Sequence, residues 1–132
     1  VGIYGSSGVS ITDTTSHFNV GDKSYGVILA NPGLSKTNVY SNSSSSNVNL
    51  GNESTFIYTE GSSKVTNNAT ITSGTNGKII AIYGKDGADI VNNGIIDLSH
   101  GTGNQGILVT GASNAVNRGV IKIGKTSLIR II

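Results

Sequence analysis

The chain has 132 residues, a length typical of one domain, and a formal net charge of +2. Charged residues make up only 12% of it, and the nine Lys and Arg form no cluster, which argues against a nucleic-acid-binding surface. The absence of Cys excludes disulfides and thiol chemistry, and no apolar run approaches the roughly 18 residues of a transmembrane helix.

Short runs rich in β-branched residues, separated by Gly, Asn and Ser, predict an all-β chain whose strands come in threes. The first three groups are Gly2–Tyr4, Val9–Ile11 and Phe18–Val20; Gly26–Leu29, Asn38–Tyr40 and Asn47–Leu50; and Thr55–Thr59, Lys64–Asn67 and Ala69–Ser73. A fourth group lies within Ile79–Gly101, a fifth within Gly106–Ser127, and Leu128 begins a sixth. Because both chain ends fall inside strand-like patterns, we expect residues 1–132 to be a segment of a longer array.

The groups repeat with a period of 25 residues. The repeat aligns Ile57, Ile82, Ile107 and Ile132 in one column, Asn67, Asn92 and Asn117 in a second, and Ile71, Ile96 and Ile121 in a third. Strands this short bury no face alone, so each is expected to pair with its counterpart one turn away, at about 4.8 Å. The pattern therefore predicts a right-handed parallel β-helix of about five turns, each with three short strands.

Strand alternation places the Ile columns in the core and Thr72, Asp97 and Lys122 outside. The Asn column falls at the corner between the second and third strands. There we expect its amides to bond to one another along the stack and to cap the bend. Opposite charges at the repeat distance, Asp97 with Lys122 and Glu60 with Lys85, are expected to form cross-strand pairs.

The second turn is five residues longer than the repeat, since Val27 and Ile57 are 30 apart. The excess lies in 30–36, which includes Asn31, Pro32 and Gly33, and in the Ser-rich run 41–46. Insertions in a solenoid leave the rod as loops. The loop at 30–36 is either a surface insertion without a binding role or a candidate binding loop.

Tyr4, Tyr58 and Tyr83 share one outward column of the first sheet, with Ile28 and Leu108 in its other places. Exposed aromatic stripes mark interaction sites in many proteins, so this column is a candidate ligand surface. Lys85 and Asp86, in the loop that follows Tyr83, belong to the same candidate surface. The alternative is that the tyrosines pack only against one another and shield the sheet.

The sequence predicts no catalytic, cofactor or metal site. Of the seven acidic residues only Asp86 and Asp89 lie close together, and their columns add no further acid. His17 and His100 fall in different columns, and the chain has no GxSxG motif, no Ca²⁺-binding nonapeptide and no phosphate loop. Because parallel β-helices also include polysaccharide lyases and hydrolases, a fragment of such an enzyme remains the alternative of a different class.

Three segments resemble the passenger repeats of large type V autotransporter adhesins, especially the fusobacterial ones. They are VGDKSYGVIL (20–29), GKIIAIYGKDGADIVNNGIIDLS (77–99) and QGILVTGASNAVNRGVIKIG (105–124). The resemblance covers nearly the whole chain but lies in scaffold motifs, so it transfers no binding residue.

The resemblance implies a non-catalytic passenger segment that is displayed at the bacterial cell surface through a C-terminal outer-membrane barrel outside this chain. It implies a host-cell glycan or protein receptor, or partner bacteria, as the binding partner. The passenger of a two-partner secretion system is a related alternative. Unpaired strand edges at the ends of the segment lead us to expect end-to-end self-association of the isolated fragment.

Overall fold

The structure is a computed structural model that describes residues 1–31 and 36–125; these form fifteen β-strands and no helix. Sheet A contains β1 (Ile3–Ser6), β4 (Tyr25–Asn31), β7 (Thr55–Gly61), β10 (Ile80–Lys85) and β13 (Gln105–Thr110). Sheet B contains β2 (Ser10–Asp13), β5 (Asn38–Asn42), β8 (Ser63–Asn67), β11 (Ala88–Asn92) and β14 (Asn114–Asn117). Sheet C contains β3 (His17–Val20), β6 (Asn47–Leu50), β9 (Thr70–Thr72), β12 (Ile95–Leu98) and β15 (Val120–Ile123).

Every three consecutive strands make one coil, and the five coils stack into a parallel β-solenoid. Coil one contains β1 to β3, and coil five contains β13 to β15. Each strand pairs in parallel with the strand of the same sheet in the neighbouring coil. The predicted fold, an all-β solenoid of about five turns with three short strands in each, is confirmed.

The strand register reproduces the columns of the sequence repeat. It aligns Ile57, Ile82 and Ile107 in sheet A, Asn67, Asn92 and Asn117 in sheet B, and Ile71, Ile96 and Ile121 in sheet C. The predicted fourth member of the first column, Ile132, lies outside the described residues.

The inward side chains of the three sheets form one apolar core along the stack. Ile57, Ile82 and Ile96 are fully buried, and each contributes about 1.5–3 kcal/mol to folding. Ile107, in coil five, packs against this core but is only partly buried. Burial falls further at the last described strand, where Ile123 is 49% exposed although Leu98, in the same column, is fully covered.

The predicted Asn ladder runs through the corner between sheets B and C. The Nδ2 of each Asn donates to the Oδ1 of the next, from Asn42 to Asn67, Asn67 to Asn92 and Asn92 to Asn117, each at 2.8 Å. The Nδ2 of Asn67 also donates to the carbonyl oxygen of Ala69, which closes the bend. The amides therefore link consecutive coils and satisfy corner backbone groups that burial removes from water.

The corner between sheets C and A stacks residues in the left-handed backbone region. Lys23, Glu53 and Lys78 have φ of 54°, 56° and 56°, and Gly103 continues the column with φ of 74°. The backbone N–H of each donates to a carbonyl oxygen in the following coil. These inter-coil bonds hold three non-glycine residues in a conformation that is unfavourable for L-amino acids.

Coil two contains the predicted insertion. Residues 32–37 separate the last residue of β4, Asn31, from the first residue of β5, Asn38. In coil three, Ser62 alone separates β7 from β8. Residues 32–35 lie outside the described part of the chain.

The two predicted charge pairs have the expected register but do not form ion pairs. Glu60 aligns with Lys85, and Asp97 aligns with Lys122. Among the described residues, the single ion pair within 4.0 Å joins Lys23 to Glu53, at 3.9 Å. Asp97 instead accepts hydrogen bonds from the hydroxyl and backbone N–H of Ser99, which lower its pKa more than Lys122 does.

Candidate functional site

The candidate site is a stripe of apolar side chains on the outer face of sheet A, which we call the tyrosine stripe. It runs along the stacking direction through one column: Tyr4, Ile28, Tyr58, Tyr83 and Leu108. Tyr4 is 63% exposed, and the other four are half-buried. The outward alternation of β1, β4, β7, β10 and β13 puts one member in every coil, as predicted.

A fourth tyrosine, Tyr25, joins this surface from the neighbouring outward column. Its ring centroid lies 5.9 Å from that of Tyr58, and the centroid of Tyr83 lies 5.3 Å from Tyr58 on the other side. Both contacts are edge-to-face, with interplanar angles of 70° and 81°. The rings therefore pack on one another and still leave Tyr4 and Tyr25 exposed to solvent. Binding of a ligand by this column stays a prediction.

A polar column borders the stripe toward the carboxyl ends of the strands. It consists of Ser6, Ala30, Glu60, Lys85 and Thr110, of which only Ala30 is apolar. The Tyr58 hydroxyl donates to a carboxylate oxygen of Glu60 at 3.0 Å. Burial, with the hydrogen bond and charge of Glu60, raises the pKa of Tyr58 to about 12, so its hydroxyl stays protonated at neutral pH.

An apolar, aromatic centre with a polar border has the composition of a binding surface. Tyr rings contribute large contact areas at low entropic cost, and their hydroxyls bond to polar groups of a ligand. Glu60 is exposed and Lys85 is half-buried, and no ion pair within 4.0 Å joins either to another described residue. Both charges are therefore available to an outside partner.

The structure separates the remaining predicted surface residues. Asn31 is only 3% exposed, and its amide donates to the carbonyl oxygen of Ser62, so its assignment to a ligand-binding loop is wrong. Pro32 and Gly33 lie outside the described residues. Asp86 is exposed at the corner after β10, with φ of 57°, where its backbone N–H donates to the carbonyl oxygen of Thr110.

A concave surface lies at the corner between sheets C and A, away from the tyrosine stripe. This groove, of about 420 Å³, is lined by Asp22, Lys23, Asn52, Glu53, Gly77, Lys78 and Thr102. Its carboxylate and amide oxygens bond to the scaffold or to a neighbouring side chain: Asp22 accepts from the backbone N–H of Asn52, and Asn52 accepts from that of Gly77. The Glu53 carboxylate pairs with Lys23. The groove is therefore a structural corner of mixed charge.

Asp13 and Tyr40 form a buried polar pair in the first two coils that was not predicted from the sequence. The Tyr40 hydroxyl donates to the carboxylate of Asp13 at 2.7 Å, and Asp13 also accepts from the backbone and hydroxyl of Thr15. Burial would raise the pKa of Asp13, but these hydrogen bonds outweigh it and lower the pKa below its usual value. Asp13 aligns with Asn42, the first member of the Asn ladder.

Within residues 1–31 and 36–125, no group of three His, Cys, Asp or Glu side chains is arranged to hold a metal ion. The same part of the chain contains no helix long and apolar enough to cross a membrane. No protein-family model matches the chain, and neither the curated proteins nor the solved structures gave a match.

Proposed function

We propose that the chain is a non-catalytic segment of a surface-displayed bacterial adhesin, and that the tyrosine stripe is its ligand-binding surface. The observation that carries this proposal is the stripe itself. Its three tyrosines and two aliphatic side chains lie on the outside of a sheet whose inner face already supplies the core, and Tyr25 beside the stripe extends the ring contacts of Tyr58 and Tyr83. The core does not require them there, whereas recognition of a partner uses such groups.

The scaffold also suits this role. Each coil hydrogen-bonds to the next through three parallel sheets and the Asn ladder, which fixes the spacing of the tyrosines along the stack. A surface fixed in this way loses little conformational freedom on binding. The resemblance of the repeats to autotransporter passengers supports display at the bacterial surface, with host glycans, host proteins or other bacteria as partners.

The test is binding of the fluorescently labelled chain to host epithelial cells and to bacteria of other species. The proposal predicts saturable binding that excess unlabelled chain abolishes. Periodate treatment of the cells removes this binding if the receptor is a glycan, and protease treatment removes it if the receptor is a protein.

The enzyme alternative is tested with the same preparation. Incubation of the chain with acidic polysaccharides, followed by assays for new reducing ends and unsaturated uronates, is expected to give no signal above buffer. Turnover in this assay, or the absence of saturable binding to every cell type tried, would reject the adhesin proposal.

A further inference from the structure

The border of the tyrosine stripe contains two opposite charges that form no ion pair with any residue that the structure describes. Glu60 in coil three and Lys85 in coil four occupy the same column of sheet A, one strand apart. Although they are neighbours in register, they form no ion pair within 4.0 Å. Within residues 1–31 and 36–125, the Glu60 carboxylate accepts one hydrogen bond, from the hydroxyl of Tyr58.

This arrangement is self-complementary under one particular two-fold rotation. Consider an axis that is parallel to the strands, lies just outside sheet A, and passes between coils three and four. Rotation about it brings a second copy face to face with the first, keeps every column in place and reverses the order of the coils. Coil three then faces coil four of the second copy, and coil two faces coil five.

The rotation matches the side chains of the surface in pairs. Glu60 faces Lys85 of the second copy, and Lys85 faces Glu60 of the second copy, so two ion pairs form at once. Along the stripe, Tyr58 faces Tyr83 of the second copy, and Ile28 faces Leu108 in the same way. Reciprocal contacts of this kind define an isologous interface.

The charges select this orientation over the other two-fold arrangement of the same faces. A two-fold axis parallel to the stack would keep each coil level with its equivalent but reverse the order of the columns. The column of Glu60 and Lys85 would then face the opposite border, which is the column of Tyr25, Thr55, Ile80 and Gln105, where Thr55 is buried. No charged residue lies in that column, so the parallel arrangement buries both charges without partners, which is costly.

The available area indicates that the association is weak. Coil one has no counterpart among the described coils in this arrangement, so four strands of each copy overlap. Four strands at about 4.8 Å and about six residues at 3.3 Å give a face of about 400 Å² for each copy, or about 800 Å² in total. This is below the roughly 1,200–2,000 Å² of stable specific interfaces. The association is therefore expected to be weak and transient.

We infer that sheet A is a homophilic interface between two copies of this chain. The coils of the two copies are stacked in opposite order, and Glu60 of each copy binds Lys85 of the other. The pairing covers the members of the tyrosine stripe in coils two to five, leaves Tyr4 of coil one uncovered, and leaves sheets B and C of both copies free. It follows from the self-complementarity of the surface and does not depend on the proposed adhesin function or on where the chain is displayed.

The test uses charge reversal in the full chain, with sedimentation velocity over about 10 µM to 1 mM. Glu60→Lys makes both positions positive and Lys85→Glu makes both negative, so each variant repels its own copies. The dissociation constant of each self-association is expected to rise about tenfold or more. The double variant E60K/K85E retains opposite charges and is expected to dimerise like the wild type.

An equimolar mixture of the two single variants provides the decisive control. Because the charges of one variant complement those of the other, the mixture is expected to form a heterodimer with affinity close to that of the wild type. Circular dichroism must show the same fold for all variants, and a general loss of structure would not be rescued by mixing.

Three outcomes would overturn the inference. The first is a wild-type chain that stays monomeric at about 1 mM, and the second is a mixture of the single variants that does not associate. The third is self-association that the single reversals leave unchanged, because end-to-end stacking of coils would not depend on charges at the middle of sheet A.

Discussion

Asn67 illustrates how a single side chain serves two coils and one corner. Its Oδ1 accepts from Asn42, and its Nδ2 donates to Asn92 and to the carbonyl oxygen of Ala69. It is fully buried, so no water replaces these partners if the side chain is removed. Because the donations between Asn side chains all point toward the next coil, the loss of the Asn67 amide leaves an unpaired group on each side.

Replacement of Asn67 by Ala is therefore expected to lower the free energy of unfolding by about 2–5 kcal/mol, since it leaves a buried donor on Asn42 and a buried acceptor on Asn92 without partners. Urea denaturation followed by circular dichroism measures the change. The matched control is Asn117→Ala at the exposed end of the ladder, which is expected to cost about 1 kcal/mol. Equal losses for the two variants would argue against a cooperative role of the ladder.

Asp13 makes the stability of the first coils depend on pH. Its folded pKa lies below that of the unfolded chain because Thr15 and Tyr40 donate hydrogen bonds to the charged form. A depressed folded pKa stabilises the protein above the unfolded pKa of about 3.9, and this stabilisation is lost as the pH falls through the folded pKa. The contribution of Asp13 is thus complete at neutral pH.

We expect wild type to exceed Asp13→Asn in free energy of unfolding by about 1–2 kcal/mol at pH 6, because hydrogen bonds to a charged acceptor are stronger than those to an amide. The difference should shrink below about pH 4 as the carboxylate takes up a proton. Denaturation curves of both proteins from pH 7 to pH 2 test this. A difference that does not vary with pH would show that the charge of Asp13 contributes nothing.

At the scale of the elements, the space at each corner between strands determines whether a glycine there can be replaced by a larger residue. Gly94 ends the Asn-Asn-Gly corner between β11 and β12, where a Cβ would collide with the carbonyl oxygen of Ala69 in the coil below. Gly21 follows β3 at a different corner. There a Cβ would have only the Ser24 hydroxyl within reach, at 4.0 Å, and φ is not positive.

Gly94→Ala should therefore lower the free energy of unfolding by about 1–3 kcal/mol, because the backbone must shift to admit the methyl group. Gly21→Ala should leave it unchanged or raise it by up to about 1 kcal/mol through a less flexible unfolded chain. Thermal unfolding of the two variants beside wild type makes the comparison. A tolerated Gly94→Ala substitution would contradict the close packing of consecutive coils at this corner.

The repeat made most of these elements predictable from the sequence. A spacing of 25 residues places Ile on Ile and Asn on Asn, so the register and the ladder both follow from counting. The Asp13–Tyr40 pair could have been recognised in the same way, since Tyr40 precedes the core residue Val65 by one repeat. A Tyr in a core column requires a partner for its hydroxyl, and Asp13 provides it.

Two features could not be predicted because they depend on geometry that the repeat does not encode. Asn31 precedes Pro32 in the insertion and resembled a loop residue, but β4 extends to it and buries its amide against Ser62. Glu60 and Lys85 have the predicted register, but the choice of rotamers directs the Glu60 carboxylate toward Tyr58 rather than toward Lys85. Column spacing determines which residues are neighbours, not which of their atoms meet.

For the whole molecule, the solenoid divides its surface into faces of different composition. The outer face of sheet A has the tyrosine stripe, whereas the exposed apolar pair Ile95 and Val120 lies in register on sheet C. The two faces belong to the same rod and depend on the same core. A change confined to one of them therefore tests that face alone.

The central claim is that the tyrosine stripe contacts the ligand, and it is tested most directly by the binding of surface variants to cells. The double variant Tyr58→Ser, Tyr83→Ser is expected to bind at least about tenfold more weakly than wild type, because buried aromatic contacts dominate binding energy. The control double variant Ile95→Ser, Val120→Ser removes a comparable apolar pair from sheet C and should bind as wild type does. Unchanged binding by the folded tyrosine variant, or an equal loss in the control, would contradict the claim.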